Sequence, residues 1–304
     1  MTKGVKPKLI AVVGPTASGK TALAIGLARR FNSEIISADA RQIYRGMDIG
    51  TAKPTAAERA AIPHHLIDIR DPDEEYTVAD YQRDAFAVID DVIARGKTPF
   101  LVGGTGLYVR AVAKHLDIPR TAADPELRAK IEVDIARNGL AATFARLVAL
   151  DPDAEGVVDP KNPRRVVRAL EVALSTDEPF TAQRRTREPR YDTLTIGRNP
   201  PPDVLRARIE RRTDGMIAAG FADEVAALLK KYSPSTPAFN AIGYREMIAY
   251  LNGTMTLGEA VAAIKMDTWH YAKRQLTWFK KDRSIEWING VKNAAEAIEC
   301  SFRQ

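Results

Sequence analysis

The sequence predicts an α/β fold, in which a parallel sheet is flanked by helices and interrupted by an inserted all-helical domain. Short apolar runs, such as residues 8–13 and 98–102, alternate with stretches that have apolar residues at helical spacing. This alternation is typical of a parallel sheet. A glycine-rich loop joins the first run to the first helical stretch, and basic helical stretches dominate from about residue 114 to residue 198.

The individual elements follow from apolar spacing and from the residues that begin or end them. Buried strands are expected at 8–13, 33–37, 64–68, 98–102, 191–196 and 284–288. Helices are expected at 21–31, 55–61, 77–95, 125–138, 140–150, 163–175, 202–219, 221–232, 256–281 and 293–302, and residues 240–246 lead into one more. Thr77 with Asp80 is a helix start signal, and Gly96 is a stop signal.

These elements divide the chain into two domains. Residues 1–113 and 199–304 form the predicted α/β core, and residues 114–198 form the helical insertion, whose turns are marked by prolines. The run 191–196 alternates enough to be a strand that returns to the core.

Length and composition predict a soluble, cytoplasmic protein. The 304 residues are 45% hydrophobic and 28% charged, as in an ordinary globular chain. No apolar run reaches the length of a membrane span, and the short basic N-terminus leads directly into a strand, unlike a signal peptide. The single cysteine, Cys300, cannot form an internal disulfide or a cysteine metal cluster, which suits a reducing compartment.

The loop after the first strand fits the phosphate-binding pattern G-x-x-x-x-G-K-[ST]. It consists of Gly14, Pro15, Thr16, Ala17, Ser18, Gly19, Lys20 and Thr21. Its glycines allow backbone N–H groups to converge on phosphate oxygens at a helix N-terminus. Lys20 supplies a charge to the phosphate, and the Thr21 hydroxyl offers a ligand to Mg²⁺. We expect this P-loop to bind a phosphate compound.

Two further strands end in residues that suit a ligand site. Asp39 follows the second strand, and Gly103-Gly104-Thr105-Gly106 ends the strand 98–102. In an open α/β sheet the ligand lies beyond the carboxyl ends of the strands. Asp39 there suits a Mg²⁺ contact, a ribose contact, a general base or a turn cap. Glycine at the end of strand 98–102, where many P-loop hydrolases have a metal-holding Asp, argues against a motor-type ATPase or GTPase.

The net charge of +6 is concentrated in one segment. Residues 161–212 contain 13 Lys and Arg against 7 Asp and Glu, which indicates a polyanionic partner. Arg164, Arg165 and Arg168 lie near a predicted helix N-terminus, the unfavourable end for cations, so an anionic ligand explains them better than helix stability. The segment 271–279 mixes aromatic and basic side chains, as nucleic-acid surfaces do. Aromatic residues at helical spacing are also typical of a core.

Taken together, these segments resemble the bacterial tRNA dimethylallyltransferases (tRNA isopentenyltransferases). The matching segments, in the family's order, are 14–21, 36–44, 47–54, 65–68, 103–108, 162–172, 241–246 and 272–279. The resemblance implies transfer of a dimethylallyl group from dimethylallyl diphosphate to N6 of the adenosine just 3′ of the tRNA anticodon. The P-loop would then hold a diphosphate leaving group, with Mg²⁺ as cofactor. One active site that takes up a flipped-out base needs no partner subunit, so we expect a monomer.

The resemblance also implies roles for particular residues. Asp39 would be the general base, Thr105 would contact the reacting region, and Lys20 would act on the diphosphate. The residues implied to bind the anticodon stem-loop are Asp39, Ala40, Arg41, Gln42, Thr105, Arg128, Arg164, Arg165, Arg168, Gly243, Tyr244, Arg245, Lys273 and Arg274. Ala40, where the family usually has Ser, and Trp269, where it commonly has Arg, depart from the pattern.

Three alternatives remain open from the residues alone. A small-molecule kinase would use the same loop and strand-end Asp, but it leaves the basic insertion unexplained. A prenyltransferase acting on free adenine nucleotides would need no surface for an anticodon arm. A nucleotide-regulated RNA-binding module would have no turnover, so Asp39→Asn would change none.

Overall fold

Six parallel strands form one sheet in the order β3-β2-β4-β1-β5-β6. The computed structural model describes residues 6–118, 124–176, 178–183 and 186–303. The strands are β1 (Lys8–Val13), β2 (Ser33–Ala38), β3 (His64–His65), β4 (Thr98–Gly103), β5 (Asp192–Gly197) and β6 (Ile285–Trp287). The parallel sheet with flanking helices confirms the predicted fold class.

The chain separates into a larger unit, residues 1–113 with 189–304, and a smaller unit, residues 114–188. The helices of the larger unit are α1 (Lys20–Arg30), α2 (Ala56–Ala61), α3 (Val78–Ala94), α4 (Gly106–Ala113), α8 (Pro202–Ala218), α9 (Phe221–Leu229), α10 (Tyr244–Leu251), α11 (Leu257–Lys280) and α12 (Val291–Arg303). Those of the smaller unit are α5 (Pro125–Asn138), α6 (Leu140–Leu150) and α7 (Pro163–Thr176).

The alternation of side chains along β1 explains why both faces of the sheet are covered. Leu9, Ala11 and Val13 belong to one buried cluster with residues of α3 and α4, whereas Ile10 and Val12 belong to another with α1 and α12. Successive strand side chains point to opposite faces, so an unbroken apolar run needs helices on both sides.

The register of the sheet brings three strand ends to one level. Val13 is paired with both Gly103 and Gly197, and Ala38 is paired with Gly103. Because the strands are parallel, the segments that follow them emerge at the same edge. The P-loop, the segment after β2 and the segment after β4 therefore begin side by side.

The smaller unit has its own apolar core among its three helices, including Ile131, Leu147 and Leu170. Glu171 on α7 is fully buried there and accepts a hydrogen bond from the Asp124 N–H at 2.9 Å. It also pairs with Arg128 of α5 and Arg168 of α7, each at 3.0 Å. A buried carboxylate with this many donors fixes α5 against α7.

The observed elements differ from the predicted ones in three places. The returning strand is paired with β1, so residues 189–198 lie in the larger unit, whereas the predicted insertion extended to residue 198. The segment from Gly106 forms helix α4, which apolar spacing alone did not indicate because the helix is short. The predicted strand 64–68 is only two residues long, since Leu66 and Asp68 adopt positive φ. Within the described ranges, no helix is long and apolar enough to span a membrane.

Candidate active site

The P-loop connects the end of β1 to the first turn of α1. Ala17 and Gly19 have φ values of 60° and 84°, and the Ser18 N–H donates to the Pro15 carbonyl at 3.2 Å. Left-handed residues in such a loop turn successive N–H groups toward a common concavity, which binds phosphate oxygens. Lys20 is the first residue of α1, so the positive end of the helix dipole lies at the same place.

Four cations surround this loop. Burial lowers the pKa of Lys20 to about 8, with Asp39 opposing the shift and Arg212 adding to it. Arg212 donates from Nη2 to Thr16 Oγ1 at 2.6 Å, and Arg208 donates from Nη1 to the Ser18 carbonyl at 3.1 Å. The Arg198 N–H donates to the Val13 carbonyl at 2.8 Å, and the Arg198 Nη2 lies 4.0 Å from the place where a Cβ on Gly19 would be. An anion bound in the loop would relieve the repulsion between these charges.

Asp39 lies at the carboxyl end of β2 and organises the turn that follows. Its Oδ1 accepts hydrogen bonds from the N–H groups of Arg41 at 2.9 Å and Gln42 at 3.4 Å. This is the cap-like arrangement that the sequence left open, and it uses one carboxylate oxygen while Oδ2 accepts none from a described residue. The charge of Asp39 also acts on Lys20 and Arg212, so the carboxylate lies beside the phosphate loop.

Thr105 joins the segment after β4 to the segment after β2. The Ala40 N–H donates to Thr105 Oγ1 at 3.0 Å, and the Thr105 N–H donates to the Ala38 carbonyl at 3.1 Å. Ala40 therefore contributes its backbone to the site, and that contact does not need the hydroxyl the family usually has there. Thr105 is held within one hydrogen bond of the turn that carries Asp39.

Two stacked tyrosines lie next to the end of β2, just before this turn. Tyr81 and Tyr108 stack with ring centroids 3.9 Å apart, and the Tyr81 hydroxyl donates to the Ser37 carbonyl at 3.1 Å. Burial raises the pKa of both phenols above the ordinary value, and the Asp39 charge contributes to each shift. Both phenols therefore stay neutral, and the Tyr81 phenol acts as a hydrogen-bond donor.

Thr21 is the residue that could hold Mg²⁺. It follows Lys20 in the first turn of α1, and its hydroxyl donates to no described residue. Among the described residues no cluster of three or more His, Cys, Asp or Glu could hold a metal. Mg²⁺ commonly binds through one or two protein ligands together with substrate phosphates and water, so Thr21 and a bound diphosphate make a suitable donor set.

The basic residues predicted to bind tRNA fall into two groups in the smaller unit. Arg164 and Arg165 are exposed in the first turn of α7 and form no ion pair with a described residue. Arg128 and Arg168 are paired with Glu171, with about two fifths of each side chain still exposed, 41% and 37%. Both arginines therefore have a structural role as partners of the buried Glu171. Their contact with RNA stays a prediction.

The predicted RNA contacts of Gly243 and Tyr244 need correction. Both residues are buried, and the Tyr244 hydroxyl donates to Glu224 at 2.6 Å. Gly243 has a φ of 97°, and a Cβ there would lie 2.9 Å from the Phe221 ring. These residues pack the start of α10 and leave no surface for RNA. Arg245 is exposed and pairs with Asp267 at 3.0 Å.

The other two predicted RNA contacts in the turn after β2, Arg41 and Gln42, are half-buried, and both side chains bond to backbone carbonyls. Gln42 donates from Nε2 to the carbonyls of Thr51 at 3.3 Å and Ala52 at 3.2 Å, so its amide supports the turn from within. Arg41 reaches the Ala238 carbonyl at 3.5 Å.

Lys273 and Arg274 are exposed on α11 and line a groove of about 390 Å³. The other lining residues are His270, Thr277, Trp278 and Lys281. Lys273 lies over the Trp269 ring at 5.7 Å, and Arg274 lies over the Tyr271 ring at 5.8 Å. Trp269 stands at the position where the family commonly has Arg, and its ring orients the neighbouring Lys273.

Sequence reasoning missed the arginines after β5 and the glutamine of α11. Arg208 and Arg212 are one helical turn apart on α8, so both can face the P-loop. The available signal was the returning strand, because a strand paired with β1 brings the following segment to the P-loop edge. Gln275 was noted only as one member of a mixed basic segment. It accepts from the Thr16 N–H at 2.8 Å and donates to the Gly104 carbonyl at 2.8 Å.

The chain is similar in sequence to known tRNA dimethylallyltransferases. The chain is 53% identical over 274 residues to the tRNA dimethylallyltransferase of Roseiflexus sp. (strain RS-1), covering 90% of each chain. It is 49% identical over 286 residues to that of Symbiobacterium thermophilum, covering 93% of this chain and 90% of the relative.

Solved structures of tRNA-prenylating enzymes also match this chain. The full-length tRNA isopentenylpyrophosphate transferase from Bacillus halodurans matches with a TM-score of 0.72 and 42% identity, covering 98% of this chain and 96% of that one. A eukaryotic dimethylallyltransferase acting on tRNA matches with a TM-score of 0.74 and 29% identity, covering 90% of this chain and 69% of that one. The sequence profile of the IPP transferase family matches residues 42–282. The chain therefore belongs to the IPP transferase family, the tRNA dimethylallyltransferases, and is a prenyl-group transferase.

Proposed function

We propose that this protein transfers a dimethylallyl group from dimethylallyl diphosphate to N6 of the adenosine just 3′ of the anticodon in tRNA, and releases diphosphate. The observation that carries the proposal is the shared sheet edge. The register of β1, β4 and β2 sets the P-loop, Thr105 and Asp39 side by side. An anion cradle, a hydroxyl and a carboxylate thus surround one reaction centre, all from a single chain, so a monomer suffices.

The P-loop is the diphosphate side of this centre. Its amides, Lys20 and Arg212 meet the negative charge that builds on the diphosphate oxygens as the C1–O bond of the donor breaks. These groups stabilise the transition state more than the ground state because that charge increases along the reaction. Mg²⁺ held by Thr21 and the phosphate oxygens would neutralise further charge on the leaving group.

Asp39 is the acceptor side of the centre. The exocyclic amine of adenine is a weak nucleophile, since its lone pair is delocalised into the ring. As N6 forms its bond to C1 of the dimethylallyl group, the electron pair of the C1–O bond leaves with the diphosphate and one N6 proton passes to the carboxylate. Oδ2 of Asp39, which accepts no hydrogen bond from a described residue, is the oxygen available to accept it, and Thr105 orients the turn.

Recognition of the tRNA falls to the basic surfaces. The adenosine cannot react while it is stacked in the anticodon loop, so it must be extruded into the site. Arg164 and Arg165 on α7, with Lys273 and Arg274 on α11, supply exposed cations for the RNA backbone. Backbone shape, 2′-hydroxyls and unstacked bases are the features that such surfaces read.

The sharpest rival is a small-molecule kinase with the same phosphate loop. The proposal is tested by supplying the purified protein with Mg²⁺ and either radiolabelled dimethylallyl diphosphate plus unmodified tRNA, or ATP plus adenine nucleosides. We expect label to enter the tRNA and no phosphoryl transfer. Phosphoryl transfer from ATP without prenylation of tRNA would contradict the proposal. The names of the curated relatives favour tRNA over free nucleotides as the acceptor.

Arg164→Ala is expected to weaken tRNA binding severalfold and to reduce the slope of log affinity against log salt by about 1, because one phosphate contact is lost. Filter binding over a salt series measures both quantities. Arg83→Ala is the matched control, since Arg83 is an exposed arginine of α3 that pairs with Asp80 and Asp84. An unchanged slope in Arg164→Ala, or an equal change in the control, would remove Arg164 from the RNA surface.

The value of kcat/KM for dimethylallyl diphosphate is expected to fall as the pH rises through about 8. Burial lowers the pKa of Lys20 to about 8 in the free enzyme, so above that pH the amine loses the proton and charge that bind the diphosphate. A bound diphosphate favours the charged amine, so kcat should hold to higher pH. Lys20→Arg stays charged and should lose this descending limb. A limb that remains in Lys20→Arg would assign it to another group.

A further inference from the structure

The amide of Gln275 connects the two halves of the active site. Its Oε1 accepts from the Thr16 N–H of the P-loop at 2.8 Å, and its Nε2 donates to the Gly104 carbonyl at 2.8 Å. Thr16 lies in the same P-loop as Lys20, and Gly104 is the residue before Thr105. One planar amide group therefore spans the distance between the diphosphate-holding segment and the segment that orients Asp39.

The surroundings of Gln275 leave it little freedom. Its side chain is buried, with 7% of the residue exposed, and a Cβ on Gly104 would collide with Nε2. Trp278, one turn further along α11, occupies the space that a Cβ on Gly106 would need. Glycine at 104 and at 106 thus lets the side chains of Gln275 and Trp278 reach the backbone of the segment after β4. The amide is held as a rigid spacer.

The Thr16 contacts show that this bridge constrains the P-loop itself. The Thr16 N–H is donated to Gln275 and its hydroxyl accepts from Arg212 at 2.6 Å. Thr16 is thereby tied on two sides, and its amide is committed to α11 and withheld from the phosphate cradle. The position of the loop relative to Thr105 then depends on α11 as well as on the sheet.

We propose that Gln275 is a positioning residue that sets the separation between the donor diphosphate in the P-loop and the acceptor amine at Asp39 and Thr105. This inference rests on the proposed prenyl transfer. Transfer requires C1 of the donor and N6 of the acceptor to meet at near-attack distance, and misplacement by about 1 Å can cost about 10²-fold in rate. Gln275 touches neither substrate in this account and acts through the two backbone segments.

The test compares Gln275→Met, Gln275→Glu and Gln82→Met by single-turnover prenyl transfer with both substrates saturating. Met keeps the length of the side chain and removes both hydrogen bonds, so we expect a fall of about 10- to 100-fold in the single-turnover rate. Glu keeps the acceptor for Thr16 but loses the donor to Gly104, so its rate should lie between those of the wild type and Gln275→Met. Gln82 is the control for loss of a glutamine hydrogen bond, because it donates to the Ala111 carbonyl at 2.7 Å on α4.

Two equilibrium readouts separate positioning from folding. The affinities for tRNA and for inorganic diphosphate should change by less than about threefold in Gln275→Met, and its melting temperature should fall no further than that of Gln82→Met. A single-turnover rate within threefold of the wild type, or an equal loss in Gln82→Met, would overturn the inference. If the wild-type protein itself transfers no prenyl group, the proposed function has failed instead.

Discussion

Asp39→Asn is expected to lower the rate of prenyl transfer by about 10² to 10⁴, the usual contribution of a general base, while leaving tRNA affinity within about threefold. The substitution is conservative for a structural reason. The Asn Oδ1 can still accept from the N–H groups of Arg41 and Gln42, so the turn keeps its conformation. What disappears is the negative charge and the ability to take a proton from N6. Single-turnover kinetics and filter binding measure the two effects separately.

Asp282→Asn serves as the control for this prediction. Asp282 Oδ1 accepts from the Ser284 N–H at 3.0 Å in a comparable turn before β6, so its substitution tests the effect of changing a turn carboxylate elsewhere in the same unit. We expect its transfer rate to match the wild type. A large loss of tRNA affinity in Asp39→Asn with an unchanged chemical step would assign Asp39 to binding and not to proton transfer.

Lys20→Met is expected to lower kcat by about 10² to 10³, the scale on which loss of one preorganised charge-stabilising group acts, and to weaken binding of inorganic diphosphate. Lys20 lies at the first turn of α1, where its charge and the loop amides act on the same oxygens. Its pKa is lowered by burial, which means that the charge is held at a cost in the free protein. Removing a desolvated charge should therefore leave the melting temperature unchanged or raised.

The control for Lys20→Met is Lys265→Met. Lys265 lies on α11 and pairs with Asp214 at 2.6 Å, outside the residues that surround the P-loop. Steady-state kinetics, diphosphate titration and thermal melting of both variants give the comparison. An active Lys20→Met protein with normal diphosphate affinity would show that the loop amides and arginines suffice, and would remove Lys20 from the catalytic groups.

The sequence was sufficient to predict which loops meet at the carboxyl edge of the sheet, but it did not reveal every residue that contacts them. The P-loop pattern, Asp39 after β2 and the glycines after β4 are local signals, and parallel strands bring their carboxyl ends together by geometry. Arg208, Arg212 and Gln275 reach the same edge from about 190 to 260 positions further along the chain. No local sequence pattern predicts these contacts, because they depend on how α8 and α11 pack in three dimensions.

Burial was the other property that local pattern did not supply. Tyr244 lies in a polar-looking segment, Gly243 to Glu246, yet it is fully buried against Phe221 and Phe239. Arg128 and Arg168 belong to a basic segment, yet both are paired with the buried Glu171. A charged or aromatic residue near a binding surface has the same sequence signal whether it faces a ligand or a core partner. Only the side-chain contacts separate the two roles.

The proposed prenyl transfer is tested most directly by locating the product. The purified protein is incubated with Mg²⁺, dimethylallyl diphosphate and an unmodified tRNA transcript that carries adenosine just 3′ of the anticodon, and the digested nucleosides are analysed by mass spectrometry. We predict one dimethylallyl group on N6 of that adenosine and one diphosphate released per transfer, with no modification of a transcript that has guanosine at this position. Transcripts left unmodified while ATP is consumed, or prenylation confined to free adenine nucleotides, would contradict it.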